Sequence, residues 1–501
     1  MKHLAGKHVL VLGLGISGLA LAQWCLKCGA QVTVADTRAE PPQLAAWRAH
    51  PSSGQFFLHA QMDAAMLDHA TFDLVLKSPG LSPAAIAGVV NEAVRRGLQV
   101  SNELGLFAQA LIDLKEGTGY APKVIGITGT NGKTTVTSLC GQLVQRAGKT
   151  VAVAGNIGPT LLDTLDEKLV VNKLPEVWVL ELSSFQLEGV TNFEPAVATV
   201  LNISQDHLDW HGSFSAYAAA KNNVHGTGGV MLLNRQDPLV MALIPVVAKG
   251  KLLRSYITFG HDEPTRAGDY GLETVNGMAW LVRAAIADDT IKRKRGGQSA
   301  EIELHVQRLM PVDALRIHGL HNATNALAAL ALAGAAGCAL GPMLHGLREY
   351  RGEPHRLESV AVVNGVEYFD DSKGTNVGAT VAALNGLGQK SRLVIILGGV
   401  GKDQDFSALA EPVSRHARAV ILIGRDAALI GTALKNTAVT VLNATDMQSA
   451  VSLAAAQAQS GDAVLMSPAC ASFDMFDNYE HRARIFCEAV KALAVEEGVL
   501  L

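Results

Sequence analysis

One segment of the chain combines the residue types and the spacing that phosphate binding needs. Residues 126–135 read GITGTNGKTT and follow an apolar run that predicts a strand. In such loops, backbone N–H groups surround phosphates, the lysine contacts the β- and γ-phosphate oxygens, and a hydroxyl binds Mg²⁺. The strict pattern has a glycine five positions before Gly132, where this chain has Ile127. The segment still predicts ATP binding, by Gly129, Thr130, Asn131, Gly132, Lys133, Thr134 and Thr135.

A glycine turn near the start of the chain predicts a second phosphate-binding position. Residues 13–18 read GLGISG between an expected strand and an expected helix, and Asp36 follows eighteen residues after Gly18. Glycines at these positions let the backbone approach a diphosphate at the N-terminus of the helix. The motif alone does not identify the ligand, because NAD is only one such diphosphate and a plain strand–turn–helix connection can have the same residues.

Polar clusters follow two further apolar runs. The run at residues 177–182 leads into ELSSFQ, which begins with Glu181, and the run at residues 196–202 leads toward DHLDWH, which contains His207. Ligands of parallel sheets bind beyond the carboxyl ends of the strands, so Glu181 and His207 could hold the metal ion that ATP brings. Mg²⁺ prefers oxygen ligands, and a histidine therefore indicates a second site with mixed ligands. Taken alone, His207 is better explained as a capping or core histidine.

Three polar loops lie in the last third of the chain. Residues 370–376 read DDSKGTN, residues 398–402 read GGVGK, and residues 467–474 read SPACASFD, each after an expected strand. Their lysines and hydroxyls predict a pocket for a substrate that carries a carboxylate. Ordinary strand-to-helix loops, in which serine, aspartate and glycine cap helices, are the alternative.

Strand-like and helix-like patterns alternate along most of the chain, which predicts an α/β protein with parallel sheets. We expect three domains: a Rossmann-like N-terminal parallel sheet in residues 1–101, a central P-loop ATPase-type domain in residues 102–352, and a C-terminal Rossmann-like domain in residues 353–501. Residues 255–309 consist of short strand-like runs, and Asn364-Gly365 predicts a type I′ hairpin.

The composition excludes several classes of protein. The chain has 501 residues, and Lys+Arg 42 against Asp+Glu 46 gives a net charge of −4, which argues against a dedicated binder of nucleic acid or anionic membranes. Six cysteines do not make a disulfide framework, and Cys25 and Cys28 are interpreted as packed helix residues in a reducing cytoplasm.

Residues 1–23 have the outline of a signal peptide, but a strand–turn–helix unit is favoured. Residues 323–347 have no charged side chain and are rich in alanine, which predicts a buried helix and no membrane span.

In order along the whole chain, these motifs resemble those of the Mur ligase family. The ATP loop is similar to one that the family shares with folylpolyglutamate synthases, whereas residues 180–188 (LELSSFQLE), 371–376 and 467–474 resemble the family's D-glutamate-adding branch. The resemblance implies a cytoplasmic, monomeric enzyme of peptidoglycan precursor synthesis. It implies that ATP drives the addition of D-glutamate to UDP-N-acetylmuramoyl-L-alanine through an acyl phosphate, with release of ADP and phosphate.

The resemblance also implies roles for individual residues. Those expected at the UDP-sugar and its muramoyl-alanine arm are Gly15, Ile16, Ser17, Asp36, Thr37, Arg38, Ser78, Gly80, Asn156, Ser183 and Gln186. Those expected to reach ATP from outside the loop are Asn322, Asn325, Arg356 and Asp371. The implied D-glutamate pocket consists of Thr375, Lys402, Ser472 and Phe473. Two Mg²⁺ ions are implied at Thr134, Glu181, His207 and a carbamylated Lys221, and the implied catalytic residues are Lys133, Glu181, His207 and Lys221.

Two features depart from the family, and two alternative functions stay open. Val400 stands where some members have an acidic residue, and residues 283–300, which include the basic run KRKR, are longer than usual. One alternative is another amino-acid ligase of the same family, which the separate glycine turn with Asp36 disfavours. The other is a binding protein that uses ATP only to change shape, which Lys402 and Ser472 disfavour. An NAD-dependent oxidoreductase is a more distant third.

Overall fold

The structure is a computed structural model that describes residues 3–59, 61–245, 247–248, 251–286, 304–317 and 319–499. The chain forms two compact units. The first consists of Met1–Ile203, Trp210–Met310 and Ala326–Leu347. The second consists of Ser204–Asp209, Pro311–Asn325 and Arg348–Leu501. Both are mixed α/β structures in which parallel sheets are covered by helices, as the alternating patterns predict.

The first unit begins with a five-stranded parallel sheet in the order β3-β2-β1-β4-β5. Its strands are β1 (His8–Leu12), β2 (Gln31–Asp36), β3 (Gln55–Leu58), β4 (Leu74–Lys77) and β5 (Gln99–Ser101). Its helices are α1 (Ile16–Lys27), α2 (Leu44–Ala49), α3 (Pro83–Arg95) and α4 (Glu103–Thr118), with a 3₁₀ turn at Ala64–Asp68. Successive strands are added toward one edge of the sheet from β1 to β3 and toward the other edge from β4 to β5, so the order of the strands changes direction between β1 and β4. In doubly wound sheets, ligands bind at that reversal, beyond the carboxyl ends of the strands.

A six-stranded parallel sheet follows in the order β13-β10-β9-β6-β8-β7. The strands of this part of the chain are β6 (Lys123–Thr128), β7 (Val151–Gly155), β8 (Val177–Glu181), β9 (Val197–Val200), β10 (Val230–Asn234), β11 (Val247–Ala248), β12 (Lys251–Leu252), β13 (Tyr256–Phe259), β14 (Tyr270–Val275), β15 (Met278–Ile286) and β16 (Leu304–Pro311). Its helices are α5 (Lys133–Arg146), α6 (Leu161–Val170), α7 (Ser184–Leu187), α8 (Leu208–His211), α9 (Phe214–Asn222) and α10 (Pro238–Met241). Strands β14, β15 and β16 form a separate sheet, and β11 pairs with β12.

The two parallel sheets of the first unit share one hydrophobic core. Buried side chains of both belong to a single cluster, and helices α1, α4 and α6 pack against one another. Phe107 on α4 meets Trp178 on β8 edge to face, with ring centroids 5.1 Å apart. Beside them, Glu103 accepts a hydrogen bond from the Leu162 N–H at 3.1 Å, and burial raises the pKa of this carboxyl to about 7. The carboxyl ends of the two sheets are therefore positioned by a common packed interior.

One prediction in this region is wrong in detail, and another is confirmed. The alanine-rich residues 323–347 do not form one helix, because α11 (Leu320–Ala335) and α12 (Leu340–Glu349) are separated at Gly337. Gly337 has a φ of +88°, a conformation that ends a right-handed helix and that glycine adopts without strain. The short strands predicted in residues 255–309 are present in the described part of that range as β13, β14, β15 and β16, and β13 joins the central parallel sheet.

The second unit contains a six-stranded sheet in the order β17-β18-β22-β19-β20-β21. Its strands are β17 (Glu358–Val363), β18 (Val366–Asp370), β19 (Leu393–Gly398), β20 (Ala417–Ile423), β21 (Thr440–Asn443) and β22 (Ala463–Met466). Its helices are α13 (Val377–Leu387), α14 (Ala410–His416), α15 (Ala427–Leu434), α16 (Met447–Gln457) and α17 (Tyr479–Glu496), with a 3₁₀ turn at Ser407–Leu409. The hairpin at Asn364 and Gly365 is confirmed, because both have the positive φ of a type I′ turn, 51° and 76°.

Two further expectations concern helices and cysteines. Among the described helices, none combines the length and the apolar character that a membrane crossing requires. Cys25 and Cys28 are free thiols, and burial raises the pKa of Cys25 to about 12, which suits a packing role. Most of the stretch 283–300, including its basic run, lies outside the described residues.

Candidate active site

The predicted ATP loop lies between the end of β6 and the first residue of α5. Gly129 has a φ of +153°, and a Cβ there would lie 2.9 Å from the Leu201 Cβ, so a side chain would collide with the neighbouring strand connection. Gly132 has a φ of +83° and immediately precedes the helix, which begins at Lys133. The loop thus needs glycine at both positions, and it ends at a helix N-terminus, which favours bound anions.

Two lysines converge on one carbonyl of this loop. Lys133 Nζ donates to the Gly129 and Thr130 carbonyl oxygens, both at 2.8 Å. Lys221 Nζ donates to the same Gly129 oxygen at 2.8 Å and lies 4.5 Å from the centre of the Tyr217 ring. Lys221 is buried, with 2% of its surface exposed. The described geometry therefore concentrates positive charge beside the predicted phosphate position.

Asn202 and Tyr217 hold the loop, and sequence reasoning assigned neither of them a role. The Asn202 side chain accepts the Asn131 N–H at 2.8 Å and donates to the Asn131 oxygen at 3.0 Å, while its backbone oxygen accepts the Thr130 N–H. The Tyr217 hydroxyl lies 2.9 Å from the Thr130 Oγ1. Only weak features of the sequence could have identified them. Asn202 is the polar residue just after a buried strand, and Tyr217 lies one helical turn before Lys221.

Glu181 ends β8, whose neighbour β6 carries the ATP loop, and it is 1% exposed. Its Oε1 accepts a hydrogen bond from the Asn156 amide at 2.8 Å. Its Oε2 is buried and has no hydrogen-bond partner among the described residues, and the same holds for the Thr128 Oγ1. A buried carboxylate oxygen without a partner is costly unless a cation compensates it. The residues present therefore fit a divalent cation with oxygen ligands.

The backbone next to Glu181 is fixed by close approach. Gly155 has a φ of +116°, and a Cβ there would lie 2.2 Å from the Glu181 carbonyl oxygen. That oxygen accepts the Asn156 N–H at 2.8 Å. Beyond it, Ser183 and Gln186 form a capping box at the start of α7, in which the Gln186 Oε1 accepts the Ser183 N–H at 3.0 Å. Asn156, Ser183 and Gln186 are thus brought together around the end of β8.

The N-terminal glycine turn has a different relation to its acidic residue. The Asp36 carboxylate accepts the Leu14 N–H at 2.7 Å and, from Arg38, the backbone N–H and the side-chain Nε and Nη2 at 2.8–2.9 Å. Burial opposes ionisation of Asp36, but the hydrogen bonds from Arg38 and Leu14 outweigh it and lower the pKa. The Ser78 hydroxyl donates to the Gly13 oxygen at 2.9 Å. Asp36 therefore holds the turn in place with its own side-chain oxygens.

The other residues predicted at the UDP-sugar surround this turn with differing exposure. Gly15 and Ser17 are half-buried at the start of α1, and Ile16 is 67% exposed. Thr37 and Gly80 are exposed near the ends of β2 and β4. Gly18 faces the Gly13 carbonyl so closely that a Cβ would lie 2.0 Å from its oxygen. The exposed members leave room on the outer side of the turn.

In the second unit, Asp371 directly follows β18. Its Oδ2 accepts a hydrogen bond from the Ser467 hydroxyl at 2.6 Å. Burial raises the pKa of Asp371 to about 7, although the Ser467 hydrogen bond and the charge of Arg356 oppose the rise. The buried Arg482 donates to the Cys470 oxygen at 3.0 Å and the Ser372 oxygen at 2.7 Å, which ties two of the polar loops together. Sequence reasoning missed Arg482, because an arginine inside a regular helix gives no spacing signal.

The loop that carries Lys402 is joined to the loop that carries Ser472. Val400 and Ala471 exchange two backbone hydrogen bonds of 2.9 Å. Val400 therefore helps to position Lys402 through its main chain, and this contribution does not depend on the type of its side chain. Lys402 has a φ of +53°, and its Nζ lies 3.5 Å from the Asp206 Oδ1. Ser472 is buried and Thr375 half-buried, whereas Phe473 is 74% exposed.

The remaining predicted residues of the second unit lie in two places. His207 is adjacent to Asp206, whose Oδ1 accepts the His207 N–H at 3.0 Å. On α11, Asn325 donates to the Asn322 side-chain oxygen at 3.2 Å. Burial and the charge of Arg356 lower the pKa of His321, which precedes Asn322, to about 4.

Comparison with known proteins identifies the family. Three family models match in chain order: the N-terminal domain of the MurD-like Mur ligases at residues 7–102, the Mur ligase middle domain at residues 127–333, and the glutamate ligase domain of Mur ligases at residues 355–470. The UDP-N-acetylmuramoylalanine–D-glutamate ligase of Albidiferax ferrireducens is 62% identical, over 99% of this chain and 98% of that protein. The ligase of the same name from Ralstonia nicotianae is 55% identical, over 99% of each.

A solved structure agrees in fold. The MurF ligase of Thermotoga maritima, crystallised in complex with ADP, superimposes with a TM-score of 0.57 at 15% identity, over 99% of this chain and 97% of that one. At this identity the likeness concerns the fold alone. The family models and the high identity of the relatives over nearly the whole chain carry the assignment: this chain belongs to the Mur ligase family.

Proposed function

We propose that this protein is an ATP-dependent carbon–nitrogen ligase that adds D-glutamate to UDP-N-acetylmuramoyl-L-alanine in peptidoglycan precursor synthesis. The names of relatives 55–62% identical over nearly the whole chain support this substrate pair. The observation that carries the chemistry is the buried Oε2 of Glu181, which has no hydrogen-bond partner among the residues that the structure describes and lies on the strand beside the glycine loop of Lys133. The three domains expected at residues 1–101, 102–352 and 353–501 would bind the UDP-sugar, ATP and the amino acid.

In the first step, the alanyl carboxylate would attack the γ-phosphate of ATP and form an acyl phosphate with release of ADP. Lys133 would exchange its two carbonyl partners for phosphate oxygens and neutralise charge on the transferring group, because phosphoryl transfer depends mainly on positioning and electrostatics. Thr134, Glu181, His207 and Lys221 are the proposed ligands of two Mg²⁺ ions, which when bound would supply further charge neutralisation.

We propose that Lys221 is carbamylated. Its Nζ is buried next to the Gly129 carbonyl, where a permanent ammonium has little solvent. Addition of the neutral amine to CO₂ forms one N–C bond and releases one proton, and the product is an anionic oxygen donor on a long side chain. Such a donor suits a site whose other ligand is a carboxylate.

In the second step, the amine of D-glutamate would attack the acyl phosphate, and the tetrahedral intermediate would collapse to an amide and phosphate. Lys402, Thr375, Ser472 and Phe473 are the proposed contacts of D-glutamate, and Lys402 is suited to a carboxylate because of its charge. Water must be excluded at this stage, because it would hydrolyse the acyl phosphate.

The proposed UDP-sugar site uses the turn at residues 13–18 for the diphosphate, with Asp36, Thr37, Arg38, Ser78 and Gly80 on the uridine side. Asn156, Ser183 and Gln186 would line the path of the muramoyl-alanine toward Glu181. Asn322, Asn325, Arg356 and Asp371 are the proposed further contacts of ATP. The shared core of the two parallel sheets supports a fixed path between the first two groups.

Phosphate release with ATP, Mg²⁺ and UDP-N-acetylmuramoyl-L-alanine tests this function across a panel of D- and L-amino acids. We expect release that requires D-glutamate, together with a product heavier by one glutamyl residue. Release with a different amino acid would keep the ligase chemistry but overturn the assigned acceptor. ATP binding without any acceptor-dependent release would favour the alternative in which ATP only changes the shape of the protein.

A further inference from the structure

A cavity of about 330 Å³ lies in the first unit, apart from every strand end described above. It is a half-open cleft between strands β10, β13, β14 and β15 on one side and helices α11 and α12 on the other. Ile257, Leu340 and Met343 make much of its wall apolar, and Tyr270 and Arg283 contribute polar groups. None of the residues assigned to ATP, the UDP-sugar, D-glutamate or metal lines it. Its volume is at the lower end of the range of small-molecule sites.

Arg283 brings to this cavity a buried donor, its Nε, that has no hydrogen-bond partner in the part of the chain that the structure describes, and Tyr270 lies beside it. Tyr270 is 4% exposed, and its hydroxyl faces α11, where a Cβ on Gly334 would lie 3.3 Å from it. Arg283 is the cross-strand neighbour of Tyr270, with its guanidinium 5.6 Å from the Tyr270 ring and its Nε buried. Buried polar groups are nearly always paired in folded proteins, so the unpaired Arg283 Nε, next to the phenol of Tyr270, points to a ligand.

The charges around the cavity favour an anion. Among the described residues that line it, Arg283 is the only charged one, and the opposite charges of Lys149 and Glu176 both act on the lining residue Cys338. Burial raises the pKa of Tyr270, so the phenol stays protonated and can donate. Burial also raises the pKa of Cys338, another lining residue, which keeps that thiol neutral. A guanidinium and a phenol beside apolar walls match a carboxylate on an apolar body.

We propose that this cavity is a second small-molecule site, which binds an organic carboxylate with an aromatic or short aliphatic body. Arg283 and Tyr270 donate hydrogen bonds to the carboxylate, and Ile257, Leu340 and Met343 contact the body. The site is separate from the ligase reaction, so its occupancy does not require ATP, D-glutamate or the UDP-sugar.

The test uses the full chain with 3-phenylpropionate as the probe, measured by calorimetry and ligand-observed NMR. The uncharged 3-phenylpropanol tests the need for the charge, and acetate and inorganic phosphate test the need for the apolar body. We expect saturable binding of 3-phenylpropionate, at least about tenfold weaker binding of the alcohol, and no saturable binding of acetate or phosphate. Equal binding of the alcohol and the carboxylate would overturn the proposal, as would no saturable binding of 3-phenylpropionate.

Variants locate the binding in the cavity. Arg283→Gln is expected to weaken 3-phenylpropionate binding at least about tenfold and Tyr270→Phe about threefold, since each removes one donor. Arg308→Gln is the matched control, because Arg308 belongs to the same sheet but pairs with Glu273 at 2.7 Å and does not line the cavity. Ala335→Phe, at an exposed lining position, narrows the cavity without touching Arg283 and should also abolish binding. Wild-type affinity in both Arg283→Gln and Ala335→Phe, with ATP binding intact, would contradict the proposal.

Discussion

The first unit contains two glycine turns that are each followed by an acidic residue, and the two acids do different work. The carboxylate oxygens of Asp36 accept hydrogen bonds from the Leu14 N–H and from Arg38, and these bonds hold the N-terminal turn in place. Glu181 gives one oxygen to Asn156 and has its second oxygen buried with no partner among the described residues. An acidic residue that ends the strand next to a glycine turn is therefore a support in one sheet and a candidate cation ligand in the other.

The difference follows from what surrounds each carboxylate. Beside Asp36 the next residues of the chain supply a guanidinium and an N–H, so the acid is neutralised locally. Beside Glu181 the chain supplies an amide, an orphaned hydroxyl at Thr128 and the loop of Lys133. A buried carboxylate oxygen that accepts no hydrogen bond is stable only when another group brings compensating charge to it.

The largest expected effect is at the loop beside Glu181. Lys133→Ala removes the cation nearest to the proposed γ-phosphate, and we expect kcat for D-glutamate-dependent phosphate release to fall about 10³-fold. Lys149→Ala is the control, because Lys149 follows α5 and lies near Glu176 at the protein surface. Equal losses of kcat in the two variants would mean that Lys133 contributes only to the overall charge of the protein and makes no specific contact with the phosphate.

The next prediction addresses Glu181 itself. Glu181→Gln keeps the size of the side chain and its bond to Asn156 but removes the negative charge. We expect kcat to fall about 300-fold and the Mg²⁺ concentration needed for half-maximal rate to rise. Glu103→Gln, at another buried carboxyl of the same unit, should leave the Mg²⁺ requirement unchanged. If the Glu181→Gln enzyme had a normal Mg²⁺ requirement, the assignment of a cation to this position would be wrong.

Glu103 is a third kind of buried acid, one whose proton affinity is raised by burial. Burial raises its pKa from 4.5 to about 7, so between these pH values the folded state holds a proton that the unfolded state has lost. Its stabilising contribution is full below about pH 4.5 and is lost as the pH rises through about 7, a change of about 3 kcal/mol. Denaturant unfolding from pH 4.5 to 8 should show Glu103→Gln gaining stability relative to wild type by about that amount. A constant difference across this range would contradict the burial-driven shift.

The smallest expected effect is at Asp36. Asp36→Asn retains one acceptor for the Leu14 N–H but loses the ion pair with Arg38. We expect about a tenfold rise in KM for the UDP-sugar, because the turn loosens, with an unchanged KM for ATP. Asp73→Asn, which alters an exposed acceptor of the His8 N–H in the same sheet, should change neither constant. A rise in KM for ATP would mean that Asp36 acts beyond its own turn.

The sequence predicted the strands that precede polar loops, because buried parallel strands are continuous apolar runs that end abruptly. It missed β10, which lies inside the central sheet, and it missed β3, β5 and β21, since short strands at or near the sheet edges have exposed, polar ends that resemble loops. It also missed the break between α11 and α12, because alanine favours helix throughout and only the positive φ of Gly337 ends it.

For the candidate site, residue types indicated the chemistry but not the partners. The loop with Lys133 and the strand end at Glu181 were identified from their spacing. The supports were not: Asn202 comes from another strand connection and Arg482 from the last helix, so each reaches its loop only through tertiary folding. The distinct states of Asp36 and Glu181 could not be predicted either, because they depend on which donors lie within hydrogen-bond distance.

The most direct test of the difference between these two acids is the binding of Mn²⁺, as a spectroscopic stand-in for Mg²⁺, measured by electron paramagnetic resonance with a non-hydrolysable ATP analogue. Wild type, Glu181→Gln and Asp36→Asn would be titrated under the same conditions. The predicted result is Mn²⁺ binding at least about tenfold weaker in Glu181→Gln and unchanged in Asp36→Asn. Unchanged binding in Glu181→Gln, or a comparable loss in Asp36→Asn, would contradict the account.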